Sequence, residues 1–205
     1  GKQVVNELSR QNHKYVLAVS RADDKESVEK EIQSIKPTHI LCLIGRTHGE
    51  GFATIDYLEQ SGKIYENVRD NLFSPLVLAL LAVKYNIHLT YLGTGCIFSF
   101  DDTHPFGLEE NGFLEESRPN FFGSAYSVVK GFTDELMHML ESNVLNLRIR
   151  MPISSDNSPR NFIHKITHYD KICSIANSMT VLDDMIPVMV DMAINKTMGT
   201  INLTN

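Results

Sequence analysis

Five short apolar or β-branched runs, at residues 15–19, 39–44, 88–93, 144–150 and 200–203, alternate with stretches of helical periodicity. The helical stretches cover residues 2–11, 25–36, about 67–85, 124–141 and 184–195. This alternation is the signature of a parallel sheet with helices packed on both faces. The run Ile40-Leu-Cys-Leu-Ile44 is apolar throughout, as suits a strand covered on both sides. Pro37 stops the helix before it and launches that strand. At 205 residues the chain can form one such domain with a sizeable core, and two full domains are not expected.

Charge and composition narrow the function classes. A formal net charge of -6 argues against a nucleic-acid or anionic-membrane surface. The longest apolar run, residues 76–83, is far short of bilayer length and suits a buried helix. Cys42, Cys96 and Cys173 lie far apart without C-x-x-C spacing, so neither a disulfide framework nor a zinc site is expected. A reducing, cytoplasmic setting is the default for such a chain. The eight histidines contain no H-E-x-x-H arrangement, and no metal centre is expected.

Two irregular stretches, 99–123 and 154–160, leave from the carboxyl ends of expected strands, where ligands bind in open α/β sheets. The first is dense in turn residues, among them Asp101, Asp102, His104-Pro105, Asn111-Gly112 and Pro119-Asn120. It ends at a helix carrying Tyr126 and Lys130 one turn apart, which places phenol and ammonium on one face. An ammonium beside a phenol favours the phenolate and makes the tyrosine a proton donor near neutral pH. Such a donor suits a carbonyl that is taking up hydride. An exposed Tyr/Lys helix face is the competing reading. Thr94, at the end of the 88–93 strand, offers a hydroxyl that would hold the reacting oxygen, or else merely satisfies backbone. Cys42, central in an apolar strand, reads as core, and Cys173 has no evident role.

The strand–helix alternation, Thr94 ahead of Tyr126-x-x-x-Lys130, and Met151-Pro-Ile-Ser154 together resemble the extended short-chain dehydrogenase/reductases. Longer strings are more specific. Lys36-Pro-Thr-His39, Thr94-Gly-Cys-Ile-Phe98 and Arg148-Ile-Arg-Met-Pro-Ile-Ser-Ser-Asp156 resemble the bifunctional nucleotide-rhamnose synthases. Pro159-Arg-Asn-Phe-Ile163, Tyr169-Asp-Lys171 and Asn177-Ser-Met-Thr-Val-Leu-Asp183 do so too. These are 3,5-epimerase/4-reductases that use NADPH to turn a nucleotide-linked 4-keto-6-deoxyglucose into a nucleotide-L-rhamnose.

The resemblance implies a doubly wound, Rossmann-like sheet over residues 1–150. Residues 151–205 would begin a smaller substrate lobe, with the last strand returning to the sheet. It implies Tyr126 as the acid toward the C-4 oxygen, Lys130 as the residue that lowers its pKa and holds the nicotinamide ribose, and Thr94 as the group orienting the ketone. Ile44-Gly45-Arg46, Asn71 and Met151-Pro152-Ile153 would lie along the cofactor. Ser20-Arg21 would meet the adenosine ribose, where an arginine pairs with the 2′-phosphate of NADPH, NADH being the alternative.

Cys96 matches a cysteine that removes a proton beside the ketone, for which a thiol of pKa about 8.5 needs a nearby cation. Lys165 matches the epimerase acid and would supply that charge, with His164 as a substitute. A small buried hydrophobe is the competing view of Cys96. Arg160, Asn161, Asn177 and Ser178 would contact the substrate, UDP- or dTDP-4-keto-6-deoxyglucose. A 4-reductase without epimerase activity, or a regulatory subunit that kept the fold, are the alternative functions. A homodimer through the helices at 67–85 and 124–141 is common in the fold.

The family begins with a strand and a glycine-rich turn, of which Gly1 would be the last glycine, and it continues past residue 205. The expectation is therefore a native protein longer at both ends, or a first strand supplied by another segment. Without that strand two neighbouring strands keep unpaired edges, and the chain should bind NADPH poorly.

Overall fold

The computed structural model describes residues 1–107, 110–156, 158, 161–172 and 174–205. Four parallel strands, β1 (His39–Cys42), β2 (His88–Thr94), β3 (Val144–Ile149) and β6 (Gly199–Asn202), lie in that spatial order. A two-stranded parallel ladder, β4 (Pro152–Ile153) with β5 (Thr180–Val181), stands apart from them. Helices α1 (Lys2–Arg10) and α7 (Leu182–Ile194) cover one face of the sheet. The other face carries α2 (Lys25–Ile35), α4 (Ser74–Tyr85) and α5 (Ala125–Met139). Two short helices, α3 (Ile64–Val68) and α6 (Phe162–Ile166), complete the set.

Strand periodicity sorts the core. On β3, Leu145 and Leu147 point to Met189 and Val190 of α7, whereas Val144 joins Leu89, Tyr91 and Met137 on the opposite side. All of these strand residues are 1 % exposed or less. Leu89 pairs with Val144 and Thr94 with Ile149, so β2 and β3 end side by side.

Residues 15–19 form no strand, contrary to the expectation from their β-branched pattern. No ladder bonds them. Val16, Leu17 and Val19 are exposed by 66, 65 and 89 %. The physical reason is the missing partner. A cavity of about 790 Å³, lined by Tyr15, Val16, Leu17, Ile40 and Leu41 among others, separates them from the edge of β1. A strand needs a neighbour to exchange backbone hydrogen bonds, whatever its propensity. The Glu31 carboxylate takes the amides of Val19 and Ser20 at 2.9 Å each.

The helix expected at about 67–85 starts earlier and is not uniform. Between α3 and α4 the residues Arg69–Phe73 form a π-helical turn. Pro75 explains part of it: without an N–H it cannot bond the carbonyl of Asn71, four residues back. That carbonyl instead accepts the Thr133 hydroxyl of α5 at 2.8 Å.

The buried ion pair between Arg148 of β3 and Asp134 of α5 closes the sheet onto this helix. Arg148 is 1 % exposed and grips the carboxylate through Nε at 2.9 Å and Nη2 at 2.6 Å. Its remaining donors hold the carbonyls of Leu114, Glu115 and Ser117 at 3.0–3.2 Å, fastening the long 99–123 connection.

Removing one partner of a buried pair leaves the other charge stranded. Arg148→Met is therefore expected to lose about 3–5 kcal/mol in urea unfolding. Adding Asp134→Leu should restore part of that loss. Hydrogen exchange should show the amides of Leu145 and Leu147 slowed with the global fold.

Candidate active site

The ends of β2 and β3 and the first turn of α5 meet at one place. β2 ends on Thr94, whose Oγ1 accepts the Cys96 amide at 3.1 Å and folds the chain into a tight turn. Gly95 donates back to the Ile149 carbonyl at 2.9 Å. Helix α5 starts there through two caps. Ser124 Oγ takes the Ser127 amide at 3.0 Å, and the Glu59 carboxylate takes the Ala125 and Tyr126 amides at 3.0 and 3.2 Å. Ser127 then donates its hydroxyl to the Cys96 carbonyl at 2.7 Å, tying helix to turn.

Tyr126 is 7 % exposed and packs on Tyr57 and Leu58, with Cys96 at the edge of the same cluster. Burial pushes its phenol well above the ordinary tyrosine range, and the charge of a Cys96 thiolate adds to that. The Thr94 hydroxyl and the Arg150 guanidinium act the other way. The phenol thus keeps its proton and faces the hydroxyl and the thiol together.

Lys130 departs from expectation. It is 4 % exposed, and its ammonium donates to the Tyr91 hydroxyl and lies over that ring at 4.6 Å. Arg150 is a cation that acts on the Tyr126 phenol. Burial lowers the Lys130 pKa to about 8.

The cofactor residues of the sequence reading fall in two regions. Gly1 caps α1 without a side-chain hydrogen bond to its first turn, and Gly1 and Ser20 line the 790 Å³ cavity. Arg21 pairs with Asp23 at 3.0 Å, its side chain 67 % exposed. Ile44, Gly45 and Arg46 border a second cavity of about 420 Å³. Asn71 fastens that turn from the π-helical segment. It accepts the Arg46 amide at 2.8 Å and donates to its carbonyl at 2.9 Å. A Cβ at Gly45 would lie 3.3 Å from Asn71 Oδ1, so a side chain there would crowd the contact. Met151 is held at φ 36°, in the left-handed region, and turns β3 into Pro152 and Ile153 of β4. An exposed guanidinium and an open glycine turn fit a dinucleotide.

The substrate residues are less uniform. Asn161 is 8 % exposed and donates to the Ser154 and Asp156 carbonyls at 2.6 and 2.9 Å, so its amide serves the backbone. Asn177 is exposed and accepts Arg150 Nε at 3.1 Å, with Ser178 exposed beside it. Lys165 donates to the Ala53 carbonyl at 3.3 Å and does not bond Cys96. His164 lies against His168, ring centroids 4.6 Å apart. Arg160 and Cys173 lie outside the described residues. Cys42 is buried in β1, and burial pushes its thiol up to about 11.

Sequence reasoning missed Arg150, Tyr91 and Glu59. Arg150 was readable in principle, because it directly follows the strand that ends beside Thr94. Tyr91 shares a strand face with Gly93, two residues on. For Glu59 there was no signal.

A parallel sheet with helices on both faces, and a buried hydroxyl and phenol at adjoining strand and helix ends, are the arrangement of the extended short-chain dehydrogenase/reductase fold. No family model matches the chain. It is 62 % identical over all 205 residues to protein L780 of Acanthamoeba polyphaga mimivirus, and spans 70 % of it. The crystal structure of the L780 UDP-rhamnose synthase superposes with a TM-score of 0.94 at 61 % identity, covering all of this chain and 71 % of that one. An Arabidopsis thaliana bifunctional dTDP-4-dehydrorhamnose 3,5-epimerase/reductase is 42 % identical over 192 residues, 93 % of this chain and 62 % of its own length. A Bacillus anthracis dTDP-4-dehydrorhamnose reductase in complex with NADP shares the fold, with a TM-score of 0.78 at 18 % identity over all of this chain and 70 % of that one. The chain belongs to the nucleotide-rhamnose synthase family, whose members are enzymes of nucleotide-sugar metabolism. Among the described residues no helix is long and apolar enough to cross a membrane, and no cluster suits a metal ion.

The folded Lys130 value of about 8 lies below the ~10.4 of an unfolded chain, so folding opposes its protonation. That cost is full below pH 8 and fades as pH rises toward ~10.4. Lys130→Met should therefore stabilise the protein by about 3 kcal/mol at pH 7, a gain that largely disappears near pH 10.5 in thermal unfolding.

Proposed function

We propose that the protein to which this chain belongs reduces a nucleotide-linked 4-keto-6-deoxy sugar with NADPH and epimerises it at C-3 and C-5, giving a nucleotide-L-rhamnose. One observation carries this reading: Thr94, Cys96 and Tyr126 converge where β2, β3 and α5 meet.

The C-3 and C-5 hydrogens are acidic because the C-4 carbonyl accepts the electron pair as an enolate. Cys96 Sγ takes the proton, and Thr94 and Tyr126 hold the C-4 oxygen by hydrogen bonds. Lys165 returns a proton to the opposite face of the carbon. NADPH, when bound, supplies hydride to C-4. Tyr126 then delivers its phenolic proton to the C-4 oxygen, for which a phenol still protonated at neutral pH is the right starting state.

Residues 1–150 form the dinucleotide-binding part and 151–205 begin the substrate region. Arg21 reads the 2′-phosphate once released from Asp23. The first-turn amides of α1 at Gly1 face the pyrophosphate. Lys130 leaves Tyr91 for the nicotinamide ribose. The substrate is a UDP- or dTDP-linked sugar, and the acidic net charge of -6 supports a small-molecule partner over nucleic acid or an anionic membrane. The scattered cysteines support a cytoplasmic setting. Leu80, Phe132 and Met139, exposed by 50, 56 and 79 % on α4 and α5, support a homodimer through these helices.

The test uses the full-length protein with NADPH and each 4-keto-6-deoxyglucose nucleotide, identifying the product sugar. Tyr126→Phe should lower turnover by at least about 100-fold. Undiminished reduction in that variant would remove Tyr126 from the chemistry. Deuterium uptake from solvent at C-3 and C-5 should vanish in Cys96→Ser. Wild-type exchange there would leave a reductase alone.

A further inference from the structure

We infer that Arg69 joins Arg21 in a two-arginine clamp for the 2′-phosphate of NADPH, with the Asp23 carboxylate seated in the clamp until that phosphate replaces it. The inference rests on the NADPH reading above and adds to it a residue that decides cofactor choice.

Asp23 lies between two guanidiniums from separate parts of the chain. Arg21 reaches it within its own turn, Nε to Oδ1 at 3.0 Å and Nη2 to Oδ2 at 3.2 Å. Arg69, in the π-helical turn, approaches Oδ2 with its Nε at 3.9 Å. Two cations drawn to one carboxylate suit an oxyanion, and in the free protein Asp23 supplies the oxygens. The next acid along does not compete for them. Asp24 turns to α2, where it accepts the Ser27 amide at 3.1 Å and the Ser27 hydroxyl at 2.6 Å.

The two arginines are held unequally. Arg69 is 23 % exposed at its side chain and forks onto Asp70, Nε to Oδ1 at 2.7 Å and Nη2 to Oδ2 at 3.1 Å. Its guanidinium lies over the Tyr65 ring at 5.9 Å. Asp70 is 14 % exposed and also accepts Arg46 Nε, which extends the anchor to the glycine turn at 44–46. Arg69 is therefore oriented before any ligand arrives, and its Nη1 makes no hydrogen bond among the described residues. Arg21, 67 % exposed, meets Asp23 on the surface, and an ion pair of that kind is weak enough to exchange. One arm is fixed and the other mobile.

Position selects the ligand. In doubly wound folds the residues about 20 beyond the glycine turn meet the adenosine ribose, where a carboxylate bonds the 2′-hydroxyl of NADH and an arginine accommodates the 2′-phosphate of NADPH. An unpaired Asp23 would be a residue of the first kind. Drawn between two cations, it is engaged, and its departure presents both guanidiniums to the incoming group. A phosphate monoester carries about -1.5 to -2 charges and three terminal oxygens, so it can serve both arms at once.

Adenosine 2′,5′-bisphosphate and 5′-AMP differ by the 2′-phosphate alone. Calorimetric titration of the full-length protein with each therefore isolates the clamp from hydride chemistry. The parent should bind the bisphosphate at least about tenfold more tightly than 5′-AMP, and equal affinities would overturn the clamp. Arg69→Gln should weaken the bisphosphate about tenfold and keep 5′-AMP within about twofold, with Arg69→Lys in between. Asp23→Asn should tighten the bisphosphate about threefold and leave 5′-AMP as it was. Parent-like binding of the bisphosphate by Arg69→Gln refutes the assignment, as does an equal loss for both ligands. Weaker 5′-AMP and NADH binding by Asp23→Asn would make the carboxylate a reader of the ribose hydroxyls and refute the exchange. Should Arg69→Gln fail to fold, Asp23→Asn decides alone, and no gain for the bisphosphate sinks the clamp. Conversion of each 4-keto-6-deoxyglucose nucleotide is followed in parallel. No rhamnose product from the parent, with the binding pattern intact, would sink the rhamnose-synthase reading and leave the Arg21–Arg69 clamp standing.

Discussion

The geometry of the site depends on the Arg148–Asp134 pair. A buried guanidinium bonded to a carboxylate on α5 and to three carbonyls of the long connection fixes strand, helix and loop in one frame. Asn146 adds a third grip, donating to Asp134 Oδ1 at 2.7 Å. Such a pair contributes little net stability compared with a hydrophobic replacement, because both charges lose their water. What it contributes is direction. Helix α5 can slide or rotate over the sheet only by breaking ionic hydrogen bonds in a dry interior, so Tyr126, two turns from Asp134, is held in azimuth.

Within that frame the candidate site lies where parallel strands end. β2 supplies Thr94 and the turn to Cys96, β3 supplies Arg150, and α5 supplies Tyr126 with Ser127 as a tether. A parallel register makes this possible, since Thr94 opposite Ile149 puts the next residues of both strands side by side. Burial and the charge of a Cys96 thiolate oppose ionising the Tyr126 phenol, while the Thr94 hydroxyl and the Arg150 guanidinium favour it.

The order of strands and helices was legible because the periodicities are strong and the crossovers long. Residues 15–19 were misread because propensity describes the chain while pairing describes its neighbour, and the neighbour is a cavity. Thr94, Cys96 and Tyr126 were legible from their spacing and from family likeness. Their electrostatics were not. Lys130 stands one turn from Tyr126 in sequence, yet its longer stem reaches down to Tyr91, and helical spacing cannot say how far a side chain extends. Arg150 was invisible as a neighbour of Cys96 because 54 residues separate them and only strand register brings them together. Asn161 looked like a substrate ligand but caps α6, accepting the Ile163 amide at 3.3 Å.

Pro75 has a reach beyond its own helix. By leaving the Asn71 carbonyl to the hydroxyl of Thr133, it stitches the turn at 44–46 to the same helix that bears the acid. Two walls of the cleft are thus joined by a single asparagine, its backbone facing one and its side chain the other. Displacing either wall therefore strains hydrogen bonds made by one and the same residue.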